Sequence, residues 1–369
     1  MKHLIKNKYF LTSVAFFLGA AITFALLSHE PKQVEVKYLE SILSKKENTI
    51  YEPVLPDRAV RLPQDFSFHS EYQHESWRYV ANLKDKSGKS YSVQWTYYRI
   101  ATDERKGSGW RNPQLYNAHI VVTSEDEVWR QQRLARGGIG QAGFKSRPFG
   151  VWLDNWNWRS IGKSPLPGKL NVETDTFSVN LNSYAKGPYV LPGEGGYTKK
   201  HDLLPIASYN VQAPFISVIG ELILNGETIA VTGTGWLDKE WGTDSLDEHP
   251  QSTALFTLHL DKNTALSIHQ LKLHNFVAYN YGTLATNKGT VANLSDEQIE
   301  LTPEKYVTLE NDKFIPVVWS LKIPDYGIDI SVSSLMNEQW QPFVFQYWEG
   351  AVEVIGKPEI IGFMQLTGY

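Results

Sequence analysis

The chain has 369 residues, a net charge of −4, 42% hydrophobic residues and no Cys. This composition excludes disulfides, thiolate metal sites and cysteine nucleophiles, and the near-balanced charge gives no reason to expect a nucleic-acid partner. The hydrophobic content indicates a folded protein, and the length favours about two domains. The aromatic content of 13% favours strands over helices.

Residues 1–30 are predicted to be a targeting segment. Three lysines precede an uncharged run over residues 9–27, which is close to the roughly 18 residues that span a bilayer. We expect an uncleaved signal anchor in the inner membrane, with the bulk of the chain on the periplasmic side. The alternative is a cleaved signal peptide and a protein secreted to the periplasm. Residues 31–54 carry hydrophobic residues at near-helical spacing and are predicted to form a juxtamembrane stalk.

From about Leu62 the pattern becomes that of β-strands. The segments "SWRYVANL" and "SYSVQWTYYRI" flank a turn at Ser87 and Gly88 and predict a hairpin. Further alternating segments follow. A stretch rich in Pro and Gly over residues 187–205 predicts a loop with a functional or inter-domain role.

The strand pattern then starts again with a second hairpin. Its turn is placed at Asn225 and Gly226, because both residues tolerate positive φ. Short strands continue to the C-terminus at a spacing typical of sandwiches and barrels. The sequence therefore predicts an all-β fold with two β-barrel domains, over residues 55–210 and 211–369.

The stretch "VTGTGWLDKEWGTD" opens this second half. Side chains alternate between the two faces of a strand. Trp236, Asp238 and Glu240 are therefore predicted to share one face, with Lys239 and Trp241 on the other. The pattern raises the question of why two carboxylates and an indole should lie together.

Two interpretations of this motif stay open. In the catalytic one, Asp238 or Glu240 is a general acid with a raised pKa, and Trp241 forms an aromatic wall that stabilises a cation. That arrangement needs a turn or bulge at Gly242 to bring Trp241 into the same pocket. In the structural one, the carboxylates accept hydrogen bonds or pair with Arg, and the indole closes a barrel end.

Three motifs in the order "LPQDFSFHSEYQHESWRYVANL", "GETIAVTGTGWLDKEWGT" and "YWEGAVEVIG", the last ending in "MQLTGY", resemble those of the carotenoid 1,2-hydratase / AttH-like family. The resemblance implies two tandem lipocalin-like (calycin) β-barrels. One branch of this family hydrates acyclic carotenoids, and a larger branch is exported and described as secreted hydrolases or as ABC-transporter-associated proteins. The chain departs from the family pattern at Lys239, where His is common, and at Ser76, where Trp is common. The first departure puts any reaction that rests on that His in doubt, because Lys normally stays charged at neutral pH.

Further residues are candidates for contact with a ligand or, alternatively, for structural hydrogen bonds and ion pairs. No spacing among them matches a metal site, a nucleophile elbow or a phosphate loop, so neither a metal nor a cofactor is predicted. The candidate ligand-binding residues are His69, His74, Glu75, Trp77, Trp236, His269, Tyr281, Trp348 and Glu349.

The resemblance and the predicted anchor favour an exported, membrane-anchored protein that binds a hydrophobic or lipid-like ligand. Such a protein would act with an ABC transporter that handles lipoproteins or lipids, whose permease would be its partner. The alternative is a hydro-lyase or hydrolase acting on an apolar polyene or lipid, with Asp238 or Glu240 as proton donor. A carbohydrate-binding protein also combines Trp platforms with paired carboxylates, but the order of the three motifs argues against it.

Overall fold

A computed structural model describes residues 50–102, 107–243, 251–274 and 276–369. Within these ranges the regular structure is β-strand, with short turns of 3-10 helix and no α-helix. The all-β prediction is therefore confirmed. The predicted anchor and nearly all of the predicted stalk lie outside the described residues. In the part of the chain that is described, no helix combines the length and the apolar character needed to cross a membrane.

The first sheet has twelve strands, and each pairs with its neighbours in antiparallel fashion. They are β1 (His74–Asp85), β2 (Ser90–Ala101), β3 (Gln114–Thr123), β4 (Val128–Arg136), β5 (Ala142–Ser146), β6 (Phe149–Leu153), β7 (Trp156–Ser160), β8 (Gly168–Glu173), β9 (Phe177–Ala185), β10 (Tyr197–Lys199), β11 (Ala207–Leu224) and β12 (Glu227–Gly242). The spatial order is β4-β3-β2-β1-β12-β11-β9-β8-β7-β6-β5, with β10 on β11. The sheet curls into a barrel around one hydrophobic core.

The second sheet has ten strands and forms a second, barrel-like half of the molecule. They are β13 (Ser252–His259), β14 (Thr264–Lys272), β15 (Tyr279–Thr286), β16 (Val291–Leu294), β17 (Glu300–Thr308), β18 (Phe314–Ile323), β19 (Ile328–Ser334), β20 (Trp340–Gln341), β21 (Tyr347–Val354) and β22 (Lys357–Thr367). The spatial order is β16-β15-β14-β13-β22-β21-β19-β18-β17, with β20 on β21. It packs its own core.

The second predicted hairpin belongs to the first barrel. Its turn is where the sequence places it, since Asn225 and Gly226 have φ of 52° and 82°. Its strand β12, however, pairs with β1 along its whole length and with β11 on its other side. The expected division between residues 210 and 211 therefore falls inside β11. The two sheets instead separate between Gly242 and Ser252.

Aromatic side chains fill the interior of the first barrel. Trp95 and Trp158 have ring centroids 6.0 Å apart, Trp95 and Tyr97 are equally close, and Tyr79 lies 4.9 Å from Trp158. All four are almost completely buried. Small barrels are commonly filled in this way by their own side chains. The centre of this barrel is therefore a packed core. The surface between the two barrels is the better candidate site for a ligand.

The barrels meet through the outward face of β1 and β12. Val80 and Trp236 from that face and Phe215 from β11 pack against Ala265 and Phe363 of the second sheet. These side chains are buried, so the contact is a small hydrophobic core of its own. It fixes the polar residues farther along β1 and β12 opposite the second barrel.

Candidate active site

The alternation predicted for β12 holds throughout the strand, because its pairing with β1 shows no register shift. Lys239 and Trp241 point into the first barrel, and Trp241 is part of its core. Asp238 and Glu240 point toward the second barrel, as does Trp236. No bulge brings Trp241 round to the carboxylates. The predicted shared face is thus confirmed, while the indole of Trp241 lies on the other side of the sheet.

Arg78 joins carboxylates from both barrels. It lies directly across from Asp238 in the pairing of β1 with β12, and its Nη1 is 3.4 Å from Asp238 Oδ2. Its Nε donates to Oε1 of Glu349, on β21, at 2.7 Å. Trp236 donates from Nε1 to the other oxygen of Asp238 at 2.9 Å. A single buried guanidinium therefore serves two acids.

The two acids that share Arg78 both hold protons more tightly than usual. Burial raises the pKa of Asp238 to about 6, although Arg78 opposes this. Burial likewise raises the pKa of Glu349 against the same guanidinium. The side chain of Asp238 is 13% exposed and that of Glu349 is not exposed at all. Asp238 is therefore the more accessible of these two acids in the polar region between the barrels, which we call the cleft.

The pKa of Glu240 is shifted in the opposite direction. Burial alone would raise its pKa, but the neighbouring Lys200 overcomes this and lowers the pKa to about 2. The two side chains form an ion pair, and each keeps about a quarter of its surface exposed. Asp238 can thus take up a proton near neutral pH, whereas Glu240, two residues away on the same face, stays ionised there. Such separation of two carboxyl pKa values marks many acid–base sites.

Aromatic rings from both barrels surround these carboxylates. His269 and Tyr281 of the second barrel stack with centroids 4.7 Å apart. Burial lowers the pKa of His269 to about 4, so the ring is neutral at neutral pH. Burial raises the pKa of Tyr281 to about 12, and it also raises the pKa of Tyr98, on β2 of the first barrel. The charge of Glu240 affects the pKa of all three groups, so they lie on the same side of the first sheet as that carboxylate.

Solvent access to the cleft decreases along β12. Glu240 has 27% of its side chain exposed and Asp238 has 13%, whereas Trp236 is buried in the hydrophobic contact between the barrels. The cleft is therefore most accessible near the end of β12 and is shut off from solvent at Trp236.

A second polar cluster lies inside the first barrel. Glu75 Oε1 is 2.7 Å from Lys239 Nζ and 2.9 Å from His69 Nδ1. The His69 ring stacks on Trp241 at 4.3 Å, and Lys239 Nζ lies 4.9 Å from the centre of the Trp77 ring. Burial would raise the pKa of Glu75, but Lys239 and then His69 hold it far below its usual range. Lys239, where the family pattern has His, thus neutralises a completely buried carboxylate.

The sequence-predicted residues fall into three groups. One group lies between the two barrels, a second lies inside the first barrel, and one residue belongs to the core of the second barrel. They are His74, Trp236, Asp238, Glu240, His269, Tyr281 and Glu349 between the barrels, His69, Glu75, Trp77 and Trp241 in the first barrel, and Trp348 in the second core.

Arg78, Tyr98 and Lys200 were not identified from the sequence. Alternation along β1 does place Arg78 on the face opposite Trp77. Because a buried cation needs a carboxylate partner, this position could have been recognised. Lys200 comes from a loop and carries no periodic signal. Within the described ranges, no three His, Asp or Glu side chains are placed to hold a metal ion.

Comparison with known proteins identifies a family that matches this chain and solved structures that share its fold. The AttH-like family model matches residues 53–369. The structure of a protein described as AttH from Nitrosomonas europaea is 27% identical, with a TM-score of 0.76 over 86% of this chain and 99% of that one. Kievitone hydratase from Nectria haematococca is 17% identical, with a TM-score of 0.63 over 87% of this chain and 97% of that one, and shares the fold. No curated protein matches the sequence.

Proposed function

Because the chain belongs to the AttH-like family, and because its cleft places a protonatable carboxyl beside an anion, we propose that it is a hydro-lyase. It would add water to a carbon–carbon double bond of an apolar molecule. The observation that carries this proposal is Asp238, whose pKa burial raises to about 6 within reach of the cleft. The fold shared with kievitone hydratase is consistent with a reaction of this class.

The reaction would begin with proton transfer from Asp238 to one carbon of the double bond. With a pKa of about 6, roughly a tenth of the Asp238 side chains are protonated at neutral pH. The π electrons form the new C–H bond, and the other carbon becomes a cation. The carboxylate of Asp238 is left ionised, where Arg78 and the Trp236 indole N–H stabilise it.

Three groups would stabilise the cation until water arrives. Glu240 supplies a fixed negative charge, since its pKa is about 2. The ring faces of Tyr98 and Tyr281 attract a cation through their quadrupoles. Water then forms the C–O bond, and its proton goes to the carboxylate of Asp238. The donor is thereby restored, and the product has gained one water molecule.

The lipid-carrier hypothesis would use a different part of the molecule. A lipocalin-like carrier holds its ligand inside a barrel, but Trp95, Tyr97 and Trp158 fill the first barrel here. The membrane anchor stays a prediction, because residues 1–49 lie outside the described part of the chain. The transporter partner also stays a prediction. These observations favour chemistry in the cleft over storage in a lumen.

A labelling experiment tests the proposal. The full-length protein is incubated with isoprenoid alkenes and unsaturated lipids in water carrying heavy oxygen, and products are identified by mass spectrometry. We expect one heavy oxygen per product. Asp238→Asn should lower the rate by about 10²–10⁴-fold, whereas the same change at the exposed Asp329 should leave it unaltered. Absence of any hydrated product, or equal rates for the Asp238 variant and the wild type, would refute the proposal.

A further inference from the structure

Two connections, one from each barrel, lie beside the Glu240 end of β12 in the described part of the chain. Residues 200–206 lead from β10 to β11, and residues 273, 274 and 276–278 belong to the connection from β14 to β15. His201 in the first connection packs on Tyr279 at 4.7 Å and on Phe276 at 5.8 Å. The two barrels therefore touch again here, beside the Lys200–Glu240 ion pair at the mouth.

Large apolar side chains project from both connections into solvent. Leu203 is 82% exposed, Val277 is 88% exposed, and Phe276 is 45% exposed. We call these three side chains the mouth rim. Single exposed apolar residues are ordinary, but a group contributed by two separate loops around a cleft indicates a surface that contacts something apolar.

Exposed cations accompany the mouth rim. Lys272 ends β14 immediately before the second connection, and Lys199 ends β10 immediately before the first. Both are exposed, although Lys199 also lies 3.4 Å from Asp202. Apolar side chains with nearby lysines match the chemistry of a bilayer surface, which offers acyl chains below anionic headgroups.

The described chain also begins at this end of the molecule. Tyr51 donates its hydroxyl to the carbonyl of Thr102, just beyond β2, and the backbone N–H of Leu55 lies 3.0 Å from the hydroxyl of Tyr209 near the start of β11. The uncharged run over residues 9–27 precedes this point in the sequence. The chain therefore enters the described fold at the end that carries the mouth rim.

We propose that the mouth rim docks on the surface of a lipid bilayer, and that the cleft receives its substrate from that bilayer. The docking rests on the mouth rim and its neighbouring lysines, and it is independent of the proposed function. The second clause rests on the proposed function and narrows its substrate to an apolar, membrane-dissolved alkene, which would enter past Leu203 and Val277 and reach Glu240 before Asp238. The substrate would then pass directly from the bilayer into the cleft.

The absence of Cys permits a direct test. Leu203→Cys, Val277→Cys and Ile355→Cys are made singly in the full-length chain and labelled with an environment-sensitive fluorophore. Ile355 is a matched control, since it is apolar and 58% exposed in the turn between β21 and β22, at the opposite end of the second barrel. Each protein is mixed with vesicles of phosphatidylcholine and phosphatidylglycerol that contain a lipid-borne quencher.

We expect a blue shift and quenching several times stronger at Leu203 and Val277 than at Ile355. No quenching at the two rim positions, or equal quenching at all three, would overturn the proposal. A blue shift without vesicles that grows with protein concentration would also overturn it, because a second copy would then cover the rim. The fluorescence needs no turnover, so its failure and that of the hydration assay are distinguishable.

Discussion

Arg78 in the first barrel and Glu349 in the second form a buried ion pair, with Nε 2.7 Å from Oε1. The same guanidinium lies 3.4 Å from Asp238. The guanidinium that joins the barrels therefore also lowers the pKa of the candidate proton donor, against the larger effect of burial. A change at Arg78 should therefore alter both the free energy of unfolding and the pKa of Asp238.

Arg78→Met should destabilise the protein strongly. It leaves Glu349 buried without its cation, and breaking one side of a buried pair costs about 3–5 kcal/mol. The free energy of unfolding is measured by urea denaturation. Adding Glu349→Leu to Arg78→Met should restore much of the loss, because an apolar pair of similar volume has no charge to desolvate.

A surface ion pair provides the control for Arg78→Met. Lys322 lies 3.9 Å from Asp329, and both side chains are exposed. Lys322→Met should change the free energy of unfolding by less than about 1 kcal/mol, since exposed pairs are screened by water. If Arg78→Met costs no more than Lys322→Met, the buried pair does not stabilise the contact between the barrels.

The pH dependence of stability should reveal the protonation of Asp238. Its pKa is raised from 3.8 to about 6, so between these values the folded state binds more protons than the unfolded state. Stability from this group is therefore lost as the pH rises through that window. Asp238→Asn removes the effect, so its melting temperature should gain on that of the wild type from about pH 4 to about pH 6. A constant difference across this range would contradict the raised pKa.

Much of this site follows from the sequence, because local rules determine part of it. Strand alternation places Asp238 and Glu240 together and separates them from Trp241. The same rules cannot find the partners of these carboxylates. Arg78 lies 160 positions from Asp238 and 271 positions from Glu349 in the chain, and only the tertiary contact brings them together.

The predicted domain boundary differs from the structure for the same reason, because it depends on a non-local contact. The turn at Asn225 and Gly226 is a local signal, and the structure has it where the sequence places it. Which sheet its strands join depends on the pairing of β12 with the distant β1, and no local pattern records that choice. The role of Lys239 is equally non-local, because it depends on Glu75 inside the barrel.

Lys239→Met should affect stability and leave the rate unchanged. The change removes the cation closest to the buried Glu75, and we expect a loss of about 3 kcal/mol in the free energy of unfolding. Lys239 points into the first barrel and does not reach the cleft. Hydration should therefore proceed at the wild-type rate at temperatures where the variant is folded. A loss of rate without a loss of stability would mean that the interior cluster takes part in the reaction.

Glu240→Gln should change both the rate of hydration and its pH profile. In the wild type the rate should rise as the pH falls toward about 6, because the acid form of Asp238 is the donor. The charge of Glu240 helps to raise that pKa, so its loss should move the inflection to lower pH. The missing anion should also slow formation of the cation, by roughly 10- to 100-fold if it supplies about 1.4–2.7 kcal/mol.

A merely structural Glu240 would alter the melting temperature and leave the inflection in place, so initial rates measured against pH separate the two roles. Glu353→Gln is the matched control, since Glu353 lies farther along β21 than Glu349, opposite Ser333 of β19, and its profile should coincide with that of the wild type.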